Sequence, residues 1–546
     1  MKRQAIMTRA ALLVASALAL GGCVVGPNYR PAPTPPVAAG QFAAASAPSF
    51  NTLPPPPRWW HLYDDPPIDS YVEQALTANT DLRVASANLA RARALLSEAR
   101  AGRLPSTTIV GSGGYSRSVV GGSATSTVIG TGTGGTGTGG TDTGGTGGTG
   151  TGGTGTGTTT GRTSTSSTGG RFDSQYYSTA LDVSYELDLF GRVRRTIAAA
   201  RADAAAIEAA RDFVRVTVAA ETTRAYADAC AAGEQLGVAQ QSLQLQTQTF
   251  GLTDRLYTAG RGTLLDVSRA RALLEETRAT LPTYTANRRV ALFRLAVLTG
   301  QAPEVPLTAA AACMRPPRLT TPLPVGDGTA LLQRRPDIRE ADRNLAAATA
   351  RIGVATAALY PQVTLGGAIG SSGLTPGALF SSAGLTFNVG PLISWTFPNV
   401  AVARARINEA RASNEGALAN FDGVVLTALQ DTETALAALA GEGERFTSLR
   451  RARDFNAEAA RIVRLRYAAG RENFLAVLDA ERTLANTQAL LAVSEATLSS
   501  NQISLFKALG GGWENAPAVA HSTMPQRSAT QAANGNSSIS ASAVRN

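Results

Sequence analysis

The side chains that do chemistry are scarce in this sequence, and they do not converge. Among 546 residues there are two histidines, His61 and His521, and three cysteines, Cys23, Cys230 and Cys313. A structural or catalytic metal site needs three or four His, Cys or carboxylate ligands at close spacing, and none of these five residues belongs to such a set. No glycine-rich loop ends in Lys-Ser or Lys-Thr, so nothing is built to cradle a nucleotide phosphate. The residues therefore name no catalytic group, no metal and no cofactor. The formal net charge of +10 includes Lys2, Arg3 and Arg9 near the N-terminus, and without them it is about +7. The remaining basic residues are almost all arginines scattered through helical stretches, which argues against nucleic acid as a partner.

What the sequence does offer is a set of charges and glycines that occurs twice. Tyr257, Gly260, Arg261 and Leu265 recur as Tyr467, Gly470, Arg471 and Leu475, each pair 210 positions apart. Each copy reads as a long helix ending at a glycine, a short turn, and a second helix leaving it. Asp266 and Asp479 lie early in the two departing helices. Arg269 occupies the repeat position of Asp479, so the two hairpins carry opposite charges at equivalent heights. The plainer reading is that the aspartates are ordinary helix-start charges and the glycines ordinary turn residues.

The elements that must position these tips follow along the chain. Residues 1–22 have a basic start and an apolar run at 10–20 that is too short for a permanent span, the pattern of a secretory signal. Leu20-Gly21-Gly22-Cys23 resembles the bacterial lipoprotein box, in which the cysteine is lipidated and becomes residue one. Val24 follows instead of an aspartate, which in that resemblance implies sorting to the outer membrane. The alternative is a free or paired cysteine behind an ordinary signal. Residues 23–67 are Pro/Ala-rich and predict a tether, with Trp59 and Trp60 packing it onto the body.

Large and small apolar residues alternate at spacings of three and four over 68–99, which predicts one continuous helix packed along its length. Strands are predicted at 106–120 and 175–190. The second alternates strictly, with Leu181, Val183, Tyr185, Leu187 and Leu189 on one face and Asp182, Ser184, Glu186 and Asp188 on the other. A soluble sheet shows that pattern, and so does a membrane barrel strand. Between the strands, 121–170 is nearly pure Gly, Thr and Ser and is predicted disordered.

Residues 191–258 contain no proline and predict a helix about 100 Å long. Residues 264–300 return over about 55 Å, bent at Pro282. A connector at 301–324 leads to a second copy at 325–511, with strands at 362–371 and 383–397. The tips fall at 257–265 and 467–475, and a polar tail predicted disordered occupies 512–546. Matching positions lie 256 apart before the strands and 210 apart after them, so the first copy, 68–300, holds 46 extra residues between its strands. That makes the Gly/Thr tract an insertion at a hairpin tip.

Four strands cannot close a barrel, and open strand edges are not tolerated in lipid, so identical subunits around an axis are the simplest completion. Here the resemblance becomes specific. The lipoprotein box, Val25-Gly-Pro-Asn-Tyr29, Trp59-Trp60, Arg335-Pro-Asp337, Leu187-Asp-Leu-Phe-Gly191 and the two Tyr-x-x-Gly turns stand in the order seen in the outer-membrane factor family. The chain resembles its TolC-like and OprM-like channel-tunnels, in the lipoprotein branch of NodT type.

The resemblance implies a mainly α protein with a transmembrane β part, built from two repeats of helix, strand, strand, long helix, helix. It implies a homotrimer with a 12-stranded β-barrel in the outer membrane, continuous with a periplasmic α-helical barrel. It implies a passive efflux duct whose tips dock a periplasmic adaptor and an inner-membrane RND pump. A duct for type I protein secretion is the alternative. In the family, acidic rings narrow the tip, and Asp266 and Asp479 match such aspartates; Arg269–Asp479 contacts, within or between subunits, are a candidate latch. In an oxidising periplasm Cys230 and Cys313 are a candidate disulfide, with two buried thiols as the alternative.

Overall fold

The structure is a computed structural model that describes residues 24–31, 40–46, 48–119, 171–319, 321–398 and 400–519. Residues 1–22, expected to be a signal, the tract at 121–170 and the tail from 520 onward lie outside these residues. In chain order the elements are β1 (Phe50–Asn51), α1 (Pro66–Ala78), α2 (Thr80–Ala101), β2 (Ser106–Val119), β3 (Arg171–Leu187), α3 (Arg192–Thr258) and α4 (Leu264–Leu298). They continue as α5 (Thr308–Ala312), β4 (Leu323–Pro324), α6 (Gly328–Arg334), α7 (Pro336–Ala357), β5 (Gln362–Gly373), β6 (Leu385–Ser394), α8 (Ala401–Ala468) and α9 (Phe474–Ala508). They form two units, one of residues 105–187 and 363–393, the other of everything else.

The larger unit is helical. α3 has 67 residues and α8 has 68, each about 100 Å at 1.5 Å per residue. α4 and α9, 35 residues each, run back along them over about half that length. Small residues make the close packing of such long helices feasible: α3 buries Ala209, Ala219, Ala220, Ala225, Ala229 and Ala232. The main core gathers around Trp59, which stacks on Phe506 at 4.9 Å, with Ile68, Leu82, Leu295, Leu436 and Ile503 fully buried. Among the described residues no helix is long and apolar enough to cross a membrane.

Several expectations need correction here. The helix expected over 68–99 is two helices, broken at Asn79 with ψ 136°. The Asn79 side-chain oxygen accepts from the backbone N–H of Asp81 (2.9 Å) and of Leu82 (3.3 Å), and its amide donates to the Leu298 carbonyl (3.0 Å). A short polar side chain that caps a new helix competes with continuing the old one. The apolar seam runs through the break, with Ile68, Leu82, Leu89 and Leu96 all buried.

The segment 23–67 is more than a tether. Phe42 and Phe50 are buried with the core, and β1 pairs in parallel with β4 of the connector. Residues 24–29 are seated too. Arg195 donates to the carbonyls of Val25 (3.1 Å) and Gly26 (2.9 Å), Tyr29 bonds Asp342, and the Gly26 backbone lies so near Gly353 that a Cβ on Gly26 would stand 2.5 Å from its Cα. At the other end, residues 512–519 also join the body: Val519 is buried, and Trp513 donates to the Arg334 carbonyl (3.1 Å) under the guanidinium of Arg339.

The smaller unit is one antiparallel sheet in the order β2-β3-β5-β6. β3 ends at Leu187 instead of 190, because Asp188 is used otherwise. Its carboxylate accepts from the N–H groups of Val193 and Arg194, both at 2.9 Å, capping α3. Leu189 therefore leaves the strand face. β6 ends at Ser394, and Trp395 and Phe397 stack on each other at 4.8 Å, Trp395 donating to the Leu359 carbonyl.

Register gives the sheet two distinct faces. Ile109, Leu181 and Ile369 stand in one cross-strand row, and Ser112, Ser178 and Ser372 in a row on the opposite face. On β6 Leu385, Phe387, Val389 and Ile393 share one face and are all more than half exposed.

Candidate functional site

The two hairpin tips are built alike. At the first, the N–H of Gly260 donates to the Tyr257 carbonyl (2.9 Å) and that of Arg261 to the Leu256 carbonyl (2.8 Å). At the second, Gly470 donates to Tyr467 (2.8 Å) and Arg471 to Arg466 (2.9 Å). This paired closure requires a left-handed residue, and Gly260 and Gly470 have φ of +70° and +71°. The next helix starts on a cap in both copies. Thr263 accepts from the Asp266 N–H at 3.2 Å, and Asn473 from the Ala476 N–H at 2.9 Å.

Below the turns the hairpins hold each other through Ala270 and Leu273 of α4 and Phe474, Val477 and Leu478 of α9. Tyr467 leans on Phe474 at 5.8 Å. Above this cluster the apolar residues face outward: Tyr257 is 42% exposed, Leu265 56% and Leu475 57%. The two exposed turns between them carry Tyr257, Leu265, Leu475, Arg261 and Arg471, apolar anchors beside charges, which is the composition of a docking surface.

The proposed gate residues are placed differently from one another. Asp266 completes a capping box, its carboxylate accepting from the Thr263 hydroxyl (2.7 Å) and N–H (3.3 Å). Arg269 and Asp479 are both exposed, and among the described residues they form no ion pair with each other within the chain. Within the chain the hairpins meet here through the apolar cluster and through a hydrogen bond from Thr249 to Glu481. A charged contact joins the return helices, Arg482 with Glu276, 3.9 Å apart and largely solvated.

Sequence reasoning missed the buried charge at this level. Glu481 of α9 is 4% exposed and accepts from the Thr249 hydroxyl of α3 at 2.7 Å. Burial pushes its carboxyl above the usual range, and Thr249, Arg464 and Gln246 pull the other way. The signal was present: Phe474, Val477, Glu481 and Leu484 share one helical face.

Farther along α3, the sulfurs of Cys230 and Cys313 are bonded, with their Cα atoms 4.8 Å apart. This pins the connector to α3. Arg288 of α4 reinforces it by donating to the carbonyls of Ala311 and Cys313, the latter at 3.2 Å. Cys23 lies outside the described residues, next to the seated segment at 24–29. No group of three or more potential metal ligands occurs among the described residues.

The likeness to known proteins agrees with this architecture. The family model described as outer membrane efflux protein matches residues 153–301 and 329–511. Nodulation protein T of Rhizobium leguminosarum bv. trifolii is 30% identical over 503 residues, covering 91% of this chain and 96% of that protein. The antibiotic efflux pump outer membrane protein ArpC of Pseudomonas putida is 30% identical over 513 residues, with 93% and 96% covered. Among solved structures, the outer-membrane channel OprN superposes with a TM-score of 0.76 at 35% identity, over 90% of this chain and 100% of that one. The chain belongs to the outer membrane efflux protein family.

Proposed function

We propose that this chain is the outer-membrane exit duct of a tripartite efflux pump, a passive channel for small molecules with no catalytic step of its own. The observation that carries the reading is the sheet. Its apolar face is exposed, and among the described residues its two edge strands, β2 and β6, pair on one side only. A sheet with one apolar and one polar face and two open edges is stable in lipid only when the edges are closed. Three copies close them as 12 strands, lipid outside and water within. The matched lengths of α3 and α8, 67 and 68 residues, and of α4 and α9, 35 each, favour two structural repeats that together contribute to a periplasmic helical barrel.

In this reading the tips dock a periplasmic adaptor through Tyr257, Gly260, Arg261 and Leu265 and their counterparts Tyr467, Gly470, Arg471 and Leu475, linking the duct to an inner-membrane RND pump. Asp266, Arg269 and Asp479 form the gate, with any Arg269–Asp479 contact made between subunits. Cys23 carries the lipid, and the segment that follows it, 24–29, is seated against the start of α3. Export of small molecules is favoured over type I secretion by the efflux names of relatives such as ArpC. Native mass spectrometry of the detergent-solubilised protein tests the assembly, with a trimer of lipidated chains expected. A stable monomer, or a mature N-terminus without lipid on Cys23, refutes the corresponding part.

A further inference from the structure

Four arginines from two elements converge beside the disulfide. Arg315 and Arg318 leave the connector just after Cys313, and Arg450 and Arg453 stand one turn apart on α8. With Phe446 and two carboxyls, Glu234 of α3 and Glu495 of α9, they line a cavity of about 300 Å³. Some of this charge is already answered. Arg318 lies 3.6 Å from Glu495 and 4.8 Å above the Phe446 ring, and Arg453 is 2.9 Å from Asp454. Arg315 and Arg450 form no ion pair and no side-chain hydrogen bond among the described residues.

The cavity thus holds more guanidinium than carboxylate, and its connector wall is tied to α3. Cys230–Cys313 ties the connector down immediately before Arg315, and Glu234 is one turn from Cys230 on α3. Guanidinium forks match the paired oxygens of phosphate, sulfate and carboxylate groups. A concave site lined by one sign of charge focuses its field on a counter-ion. We propose that this cavity binds a multiply charged oxyanion that bridges the connector to α8.

Glu234 sets the pH dependence. Its carboxyl is pushed up to about 7, by burial first and then by the charge of Glu495, while Arg315 and Arg318 pull it down. The charges lining the same cavity are Glu495 from α9, Arg315 and Arg318 from the connector, and Arg450 and Arg453 from α8. Above neutral pH Glu234 adds a negative charge that opposes the anion. Below it that charge is gone, so affinity rises as pH falls through about 7.

The test is calorimetric titration of the full-length, detergent-solubilised protein with sodium sulfate at constant ionic strength. Sulfate keeps its charge between pH 6 and pH 8. The expected result is one sulfate per chain, bound roughly threefold or more tightly at the lower pH. Arg315→Gln combined with Arg450→Gln changes only exposed side chains and should weaken binding about tenfold or more. Glu234→Gln should bind at pH 8 as the parent does at pH 6. A parallel titration with malonate at pH 7.5 shows whether tetrahedral oxyanions or carboxylates are preferred. Equal sulfate affinity in parent and double variant, no pH dependence in the parent, or no binding of either anion overturns the proposal.

Discussion

Removing the Cys230–Cys313 link is a perturbation whose size follows from its place in the chain. The bond joins residues 83 positions apart. Closing a loop of that length removes about 4.5 kcal/mol of chain entropy from the unfolded state at 25 °C. Residual structure in the unlinked chain makes that figure a ceiling. A chain of about 500 residues has an unfolding entropy near 1 kcal/mol/K, so the loss corresponds to about 4 °C in melting temperature.

Cys313→Ser is the better variant, because Cys313 is half-buried whereas Cys230 is fully buried, where a serine hydroxyl would be left unpaired. The assay is the far-ultraviolet circular dichroism melt of the solubilised protein, oxidised parent against variant. Hydrogen exchange locates the effect, with faster exchange expected around α5 and the connector and little change at the tips. Two outcomes refute the reasoning. One is a variant that melts and exchanges like the parent. The other is labelling of both cysteines by a thiol reagent in denatured, unreduced protein.

Other outcomes follow from the same contacts. Arg335 is 7% exposed at its side chain, pairs with Asp337 at 2.7 Å and Asp431 at 3.3 Å, and donates to the Ala508 carbonyl at 2.9 Å. Arg335→Met strands these acceptors, two of which are partly solvated, and should cost about 1.5–3 kcal/mol, seen as a melt lowered by a few degrees; an unchanged melt contradicts it. Asp479→Ala should raise single-channel conductance in planar bilayers and weaken cation preference, whereas Arg269→Ala should raise conductance without weakening it. If both conduct like the parent, these residues are solvated helix charges.

Glu481 offers a pH test. Its folded pKa lies above the ordinary 4.5 because of burial, so the folded state holds its proton longer than the unfolded one. Ionising it then costs stability, a cost absent below pH 4.5 and complete once pH exceeds the folded pKa. Glu481→Gln keeps an acceptor for Thr249 and should raise the melt at pH 8 but not at pH 4; the opposite ordering refutes this.

The sequence alone determined the long helices, the two tips and the four strands of the larger sheet, though not the short β1–β4 pair. These are encoded locally: glycines where a left-handed turn closes, prolines where helices begin, and alternation of two where a sheet has two environments. It also carried the Gly260 and Gly470 turns residue by residue, since such a turn depends on a few neighbouring φ angles. The break at Asn79 was encoded as well, in the matching Arg335-Pro336-Asp337, because α7 starts at that proline while Asn79 achieves the same break with its side chain.

Only the tertiary structure decided what distant segments do to one another. It seated Phe42, Phe50 and Val519 in the core, although their surroundings in sequence are polar or proline-rich. It brought Arg315 and Arg318 opposite Arg450 and Arg453, and Thr249 against Glu481 across 232 positions. It gave Asp266 to a cap while leaving Asp479 exposed, though both looked alike in the sequence. Periodicity states which face of an element is apolar, but not which other face it meets. Pairing of charges and burial of a carboxyl are properties of that meeting, and the free energy that selects it comes from apolar area removed from water across the whole body.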